Sequence, residues 1–250
     1  MSRSKSFASI VLVILLANLS VAYAQEAALS DEQVKARLAF ITGALDAGQP
    51  GAKRWWYGWI AGYSAGAVTM GVLAGAHWND TELVGGIPVR DRGFAEDMLV
   101  GSATFALGVA GLLIDPFVPA TAARKLRPLP ETTSMERLAK LQRAEELLRQ
   151  CARREKDGRS MKTHLMNIGV NAAAGVVTAA AFKRPWTDGL ITFVTGEAVS
   201  LLTIFSQPMR ATRDLKKYEA GDLGNSGVST PERRWSLGVW PGGLSFRLQF

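Results

Sequence analysis

Residues 56–76, with the sequence WYGWIAGYSAGAVTMGVLAGA, form an uncharged apolar stretch rich in glycine and alanine. Its 21 residues are close to the length that an α-helix needs to cross the hydrocarbon core of a membrane. Its apolar residues do not alternate with polar ones, as they would in a half-buried strand. Residues 98–114, 165–182 and 190–205 share this composition. The sequence therefore predicts a mainly α-helical protein with four Gly/Ala-rich helices of moderate hydrophobicity.

The second pair of apolar stretches resembles the first pair in order and spacing. The matched segments are 64–69 with 173–178, 78–80 with 186–188, and 119–125 with 210–217. Such agreement in order predicts an internal repeat of two helical hairpins, in residues 55–127 and 161–218. Because each copy contains two crossings, the two hairpins would lie parallel to each other. The first copy carries additional turn residues in 85–93.

Two capping boxes predict further helices outside the repeat. Residues 25–54 contain Ser30 followed by Gln33, which predicts an amphipathic helix that ends near Gly48 and Pro50. Residues 128–160 contain Thr133 followed by Glu136, which predicts a polar connecting helix that ends at Gly158. The apolar stripe of this connecting helix comprises Leu138, Leu141, Leu148 and Cys151. We expect the connecting helix to lie on the helical assembly or on the lipid surface rather than to cross it.

The C-terminal region, residues 219–250, combines a linker with a predicted β-hairpin. Residues 221–232 are rich in Gly, Ser, Asn and Pro, and residues 235–250 alternate apolar and polar side chains around Pro241 and Gly242. The apolar C-terminal residue Phe250, with alternating residues before it, resembles the recognition strand at the end of outer-membrane barrel proteins. One hairpin cannot build a barrel, so the resemblance implies a targeting signal or a strand that docks onto a partner.

Residues 1–24 have the layout of a secretory signal peptide. Arg3 and Lys5 precede an apolar run in residues 10–16, and Ala22 and Ala24 form a cleavage site before Gln25. Export would leave the basic residues 124–162 outside the inner membrane, which inverts the positive-inside rule. The sequence therefore predicts a cell-envelope protein, favours the outer membrane or the periplasmic face, and leaves the inner membrane open.

Charge and composition limit the possible partners and the possible chemistry of the protein. The net charge of +7 is spread between apolar segments, and no aromatic-basic motif for nucleic acid is present, so membrane lipid is the predicted counter-charge. A single cysteine allows no internal disulfide. Two distant histidines give no metal-ligand spacing, and no phosphate-binding glycine loop occurs. The sequence predicts no cofactor and no metal.

Glycines at helical spacing form the first candidate site. Gly58, Gly62 and Gly66 recur every four residues, which predicts a smooth ridge against which another helix packs closely. Residues 62–66, GYSAG, also match the G-x-S-x-G nucleophile elbow and so resemble lipases and esterases of the α/β-hydrolase fold. That resemblance covers five residues and implies a catalytic Ser64 on a strand-to-helix turn.

A carboxyl group within an apolar stretch forms the second candidate site. Glu197 lies inside residues 190–205, and an uncompensated charge there costs several kcal/mol. The predicted buried polar set is Glu197, Asn167 and Asn171, with Thr178 and Thr192 as further partners. The set indicates either a hydrogen-bonded carboxyl that fixes the helix register or a proton or ion relay.

The combined prediction is an exported, membrane-associated helical envelope protein with a structural, scaffolding or pore-forming role and no enzymatic activity. It would assemble as a homo-oligomer or with an envelope protein partner. The first alternative is a channel or transporter component that uses Glu197. The second alternative is an esterase-like serine hydrolase that uses Ser64.

Overall fold

The computed structural model describes residues 29–224 and the backbone of two C-terminal strands. The predicted signal peptide and most of the predicted linker lie outside the described residues. The protein is mainly helical, as predicted. In chain order the elements are α1 (Asp31–Ala76), β1 (Thr81–Val84), β2 (Ile87–Arg90), α2 (Gly93–Ile114), a 3₁₀ turn (Val118–Ala120), α3 (Ala122–Leu126), α4 (Ser134–Asp157), α5 (Met161–Val176) with a π-helical turn (Val177–Ala181), α6 (Trp186–Ser206), α7 (Arg210–Glu219), β3 (Trp235–Trp240) and β4 (Gly243–Leu248).

Both predicted capping boxes are confirmed. The Ser30 hydroxyl accepts a hydrogen bond from the Gln33 backbone N–H, and the Gln33 side chain accepts one from the Ser30 backbone N–H. Thr133 and Glu136 make the same reciprocal pair at the start of α4. The end of α4 is also confirmed, because its last helical residue directly precedes Gly158.

The predicted end of the first helix near Gly48 and Pro50 is wrong. Helix α1 continues through Pro50 without interruption. Proline removes one helical hydrogen bond and disfavours the preceding turn, but the neighbouring Gln49 and Ala52 are buried and hold both halves of the helix in tertiary contacts. With 46 residues, α1 is a single rod roughly 70 Å long.

The first half of α1 packs with the 3₁₀ turn, α3, α4 and α7 into a compact unit that we call the base. Its core consists of fully buried aliphatic side chains such as Ile41, Leu126 and Leu147. Three of the four residues predicted for the apolar stripe of α4 lie in this core, whereas Leu138 is 42% exposed. Helix α4 therefore lies on the assembly, packed against α1 and α7.

The second half of α1 forms, together with α2, α5 and α6, a unit that we call the apolar bundle. Helix α1 packs along α2, and α5 packs along α6. Each of the four is long and apolar enough to cross a membrane. The base covers one end of this bundle, which we call the base end. The other end, the far end, carries residues 77–92 and the α5–α6 connection.

Glycines set the distance between helices within each pair of the apolar bundle. A Cβ added to Gly66 on α1 would lie 2.8 Å from the ring of Phe105 on α2. In the second pair, the backbones of Gly175 and Gly189 meet directly. In the first pair, the Phe105 ring fills the space beside Gly66 and sets the distance between the helices. In the second pair, direct backbone contact sets that distance.

The additional residues of the first hairpin form more structure than the predicted turn. Strands β1 and β2 pair as an antiparallel hairpin around Gly85 and Gly86, whose φ values of 61° and 83° are accessible to glycine without strain. All eight strand residues are exposed. At the C-terminus, β3 and β4 pair antiparallel with Trp240 opposite Gly243, which confirms the predicted hairpin.

Candidate functional site

Glu197 occupies the middle of α6 and is hydrogen-bonded to α5. The amide Nδ2 of Asn171 donates to Glu197 Oε2 at 2.9 Å and to Ser200 Oγ at 3.0 Å. Asn171 is only 3% exposed, whereas Glu197 is half-buried. The side chain of Asn167, one turn before Asn171, makes no hydrogen bond with Glu197 or with the side chain of Asn171. The structure thus brings two members of the predicted polar set together and leaves the third apart.

Gly196 makes room for this pair. A Cβ on Gly196 would overlap the amide oxygen of Asn171. The amide therefore packs its oxygen against the backbone of α6 and directs its nitrogen towards the carboxyl and the hydroxyl. This orientation explains why a donor, rather than an acceptor, faces Glu197.

Further polar side chains of α6 lie between Glu197 and the base end, and they contact α1 rather than α5. Thr203 Oγ1 lies 2.6 Å from the hydroxyl of Tyr63 on α1. The indole N–H groups of Trp55 and Trp59 donate to Ser206 Oγ at 3.1 and 3.0 Å. These bonds join the first helical pair to the second, and they give the aromatic polar atoms the partners that buried Tyr and Trp require.

Towards the far end, α6 carries Thr195, which is exposed, and Thr192, which is half-buried. Thr192 Oγ1 lies 3.3 Å from Thr178 Oγ1, and Thr178 is completely buried. The polar side chains Thr192, Thr195, Glu197, Ser200, Thr203 and Ser206 extend over most of the length of α6, and Glu197 is the only ionisable one among them.

An arginine joins the two helical pairs at the far end. Arg184, in the α5–α6 connection, donates to the backbone carbonyl of Gly93 at 2.8 Å and to the carboxylate of Asp188 at 2.9 Å. It also pairs with Asp97 on α2. These ionic hydrogen bonds raise the pKa of Arg184 further above its ordinary value, chiefly through Asp97. Arg184 is therefore a permanently charged bridge between α2 and α6.

The predicted glycine ridge is divided between two environments. Gly66 contacts Phe105 within the chain, whereas Gly58 and Gly62 are exposed. Within the part of the chain that the structure describes, no atom lies within 4 Å of a Cβ built on either exposed glycine. These two positions form a smooth open face on α1.

Ser64 does not lie on the strand-to-helix turn that the esterase resemblance implies. It is in the interior of α1, between residues of unbroken helix. His77, at the C-terminal end of the same helix, is roughly 20 Å further along the axis and is hydrogen-bonded to Asp80 at 2.7 Å. The structure therefore does not bring a histidine to Ser64.

The base contains a buried carboxyl group that the sequence analysis missed. Glu155 on α4 is 1% exposed and accepts hydrogen bonds from the backbone N–H groups of Ala211 and Thr212, at 3.0 and 2.7 Å. Burial raises its pKa, and the hydrogen bonds from Thr212 and Ala211 oppose that effect. Glu155 thereby satisfies the free N–H groups at the start of α7 from a different helix.

Cys151, one turn before Glu155, is fully buried. Burial, with a smaller contribution from Glu155, raises the pKa of its thiol to about 12. The thiol is therefore protonated and unreactive at neutral pH.

No protein-family model matches the chain, and comparisons with curated proteins and with solved structures find no match.

Proposed function

We propose that the protein is an integral membrane protein of the cell envelope with a structural, scaffolding or pore-forming role. The observation that carries this proposal is the contrast between the two units. The base has a buried core, whereas the four helices of the apolar bundle direct large apolar side chains outwards. Those at least 55% exposed include Val68, Val72, Leu107, Leu113, Leu165, Met166, Leu190, Ile191, Val194 and Leu202. A belt of this kind on a soluble monomer would promote aggregation, whereas a bilayer would cover it.

Aromatic side chains at both ends of the apolar bundle support this position. Trp56 on α1 and Trp78, two residues after the end of α1, are 22 residues apart, or roughly 33 Å if the helix rise is extended across them. On α6, Trp186 and Phe205 are roughly 28 Å apart. Both distances are close to the thickness of a hydrocarbon core, and aromatic rings are enriched at its two interfaces.

Charge and the N-terminal sequence support a position at the outer membrane or the periplasmic face. Residues 115–164, which lead through the base, contain twelve Lys and Arg against seven Asp and Glu. The far-end segments 77–97 and 182–188 together contain four basic and six acidic residues. If residues 1–24 direct export, insertion into the inner membrane would leave the basic base outside, against the positive-inside rule.

We further propose that two or more copies associate through Gly58 and Gly62. The open face at these positions allows another helix backbone to approach closely, as small residues do in membrane helix pairs. The internal repeat belongs to the same proposal. Two duplicated helical hairpins would present similar packing surfaces to neighbouring copies.

Envelope fractionation tests the proposed position. The full-length protein should appear in a membrane fraction and resist extraction with alkaline carbonate. Separation of the inner from the outer membrane then shows which of the two contains the protein. Release of the protein into the soluble fraction by carbonate would overturn the proposal.

Substitution at Gly62 tests the proposed association. Gly62→Leu should reduce the cross-linked oligomer, because the leucine side chain would keep the partner helix away from the open face. Gly111→Leu is the matched control, since Gly111 is exposed on α2 and also has no neighbour within 4 Å of a built Cβ. An oligomer of unchanged size and yield in Gly62→Leu would exclude this face as the contact.

The second candidate function is a channel or transporter component that uses Glu197. The hydrogen bond from Asn171 to the Glu197 carboxyl, in the middle of an apolar helix, favours it. Glu197→Gln should alter ion flux through reconstituted vesicles if the carboxyl conducts. A variant of unchanged flux and altered stability would indicate a structural carboxyl.

A further inference from the structure

We propose that four basic side chains at the base end of the apolar bundle bind the phosphate groups of anionic phospholipids. We call Lys53, Arg54, Lys156 and Lys162 the basic collar. The inference rests on the membrane position proposed above and deepens it, because it names the class of lipid and the leaflet, which is the one on the base side.

The position of the collar along the bundle is the first step of the argument. Lys162 is in the first turn of α5, where that helix leaves the base. On α1, Lys53 and Arg54 directly precede Trp55, whose indole N–H donates to the carbonyl of Thr203 on α6 at 3.3 Å. Three collar residues therefore lie where apolar helices meet the base.

Lys156 lies beside the same end of the bundle. It is two residues before Gly158, and a Cβ on Gly158 would overlap the side chain of Gln207. Gln207 directly follows the last residue of α6. The collar thus surrounds the helix ends, within the zone of roughly 5–8 Å that lipid headgroups occupy on each side of a hydrocarbon core.

The collar side chains continue the lipid-facing sides of two helices. Residues three and four positions apart share one side of a helix, so Lys162 shares a side with Leu165 and Met166, which are 61% and 63% exposed. Arg54 likewise shares a side with Tyr57, which is 53% exposed. Helical side chains lean towards the N-terminus, which on α1 and α5 leads out of the bundle and places both charges at headgroup depth.

The charges of the collar are not used within the protein. None of the four forms an ion pair with a described residue. Arg54, Lys156 and Lys162 are exposed, and Lys53 is half-buried. Lysine and arginine at such positions keep their apolar stems along the protein and extend their charged groups to the headgroups.

The carboxyl groups beside the collar do not neutralise it. Asp115, after α2, pairs with Arg154 at 3.1 Å. Glu155 is buried and accepts backbone hydrogen bonds from α7. Within the described segments 51–60, 113–116 and 155–164, only Asp157 has an exposed carboxylate that forms no ion pair. A positive excess therefore remains at the base end.

The far end shows no comparable excess. Its exposed cations Arg90 and Lys183 are matched by the exposed carboxylates Glu82 and Asp91. The charge of Arg184 is already paired with Asp97 and Asp188. Anionic headgroups should therefore gather at the base end, because juxtamembrane Lys and Arg attract them over about one Debye length.

The chemistry of the collar favours phosphate with a net negative charge. Ammonium and guanidinium groups donate charge-assisted hydrogen bonds to phosphate oxygens. In phosphatidylcholine the choline group cancels the charge of the phosphate, whereas in phosphatidylglycerol the charge remains. The collar should therefore select phosphatidylglycerol over phosphatidylcholine, and salt should weaken the selection.

Electron spin resonance of spin-labelled lipids tests the proposal. The full-length protein is reconstituted in phosphatidylcholine vesicles that contain traces of spin-labelled phosphatidylglycerol or spin-labelled phosphatidylcholine. The fraction of label with restricted motion measures the lipid at the protein surface. We expect a several-fold preference for the phosphatidylglycerol label, which high salt should largely abolish.

Matched double variants locate the preference. Arg54→Gln with Lys162→Gln should lose most of it. Arg90→Gln with Lys183→Gln removes two exposed charges from the far end and should retain it. Arg54→Lys with Lys162→Arg keeps both charges at the base end and should retain it as well. The restricted fraction of the phosphatidylcholine label should be the same in all three, which shows that each variant is folded.

The outcomes separate the collar from the membrane position. Equal restriction of the two labels in the unsubstituted protein would overturn the collar while the bilayer position stands. Equal loss in the base-end and far-end glutamine variants would also overturn it, because net charge alone would then explain the preference. Absence of any restricted lipid would instead overturn the membrane position itself.

Discussion

Gly175 on α5 and Gly189 on α6 are in backbone contact. A Cβ added to either glycine would lie 2.5 Å from the backbone carbonyl oxygen of the other. A side-chain neighbour could rotate away, but a carbonyl oxygen within a helix cannot. The closest approach of the two helices is thus fixed by the absence of two side chains.

Alanine at either position should separate α5 from α6. For Gly175→Ala or Gly189→Ala we expect a loss of about 1–3 kcal/mol in the free energy of unfolding, as for other overpacked sites. Unfolding of the detergent-solubilised protein by increasing SDS measures it. Gly169→Ala on α5 is the control, because Gly169 has open space around it. The control should be neutral or gain up to about 1 kcal/mol from the better helix propensity of alanine.

Local features of the chain were predictable from the sequence. The helices, both capping boxes and the C-terminal strand pairing depend on neighbouring residues, which the sequence displays directly. The polar partners of Glu197 were limited to a few residues on the adjacent stretch, of which Asn171 makes the bond. The role of each glycine was not predictable, because it depends on the rotation of one helix against another. A Cβ on Gly66 would contact the ring of Phe105, whereas a Cβ on Gly62 would have no atom of the described residues within 4 Å.

Two features were interpreted wrongly from the sequence, one because of tertiary packing and the other because a turn signal was not recognised. Pro50 ends an isolated helix, but burial of Gln49 and Ala52 on both sides keeps α1 continuous. The β1–β2 hairpin was overlooked, although two adjacent glycines between short strands are a recognisable hairpin signal. The burial of Glu155 could not be predicted, because in the sequence of a polar helix a buried glutamate cannot be distinguished from its exposed charged neighbours.

Arg184 should stabilise the far end of the apolar bundle. Arg184→Ala removes its bonds to Gly93, Asp97 and Asp188 and leaves two carboxylates without their cation. We expect a loss of about 1.5–3 kcal/mol in SDS unfolding, the range for hydrogen bonds to charged groups. Lys183→Ala is the control, because the adjacent Lys183 makes no ion pair with a described residue. Equal stability of the two variants would show that the bridge is not formed.

Cys151 should report unfolding of the base. Its thiol is fully buried with a pKa raised to about 12, so a maleimide at neutral pH should not label the folded protein. Labelling should begin only at denaturant concentrations that open the base. Ala139→Cys in a Cys151→Ala background places the thiol on the exposed face of the same helix and should be labelled at once. Rapid labelling of Cys151 in the native protein would contradict the buried position.

Glu155→Gln should destabilise the base by about 1–3 kcal/mol, because an amide NH₂ replaces one oxygen and leaves a backbone N–H of Ala211 or Thr212 without an acceptor. The pKa of Glu155 is raised by burial, so the folded protein binds its proton more tightly than the unfolded chain. The stability that Glu155 contributes is therefore greatest below the ordinary glutamate range and declines as pH rises to the raised value. The difference in stability between the unsubstituted protein and Glu155→Gln should shrink across that window. A difference that grows with pH would mean that the hydrogen bonds, rather than burial, dominate this carboxyl.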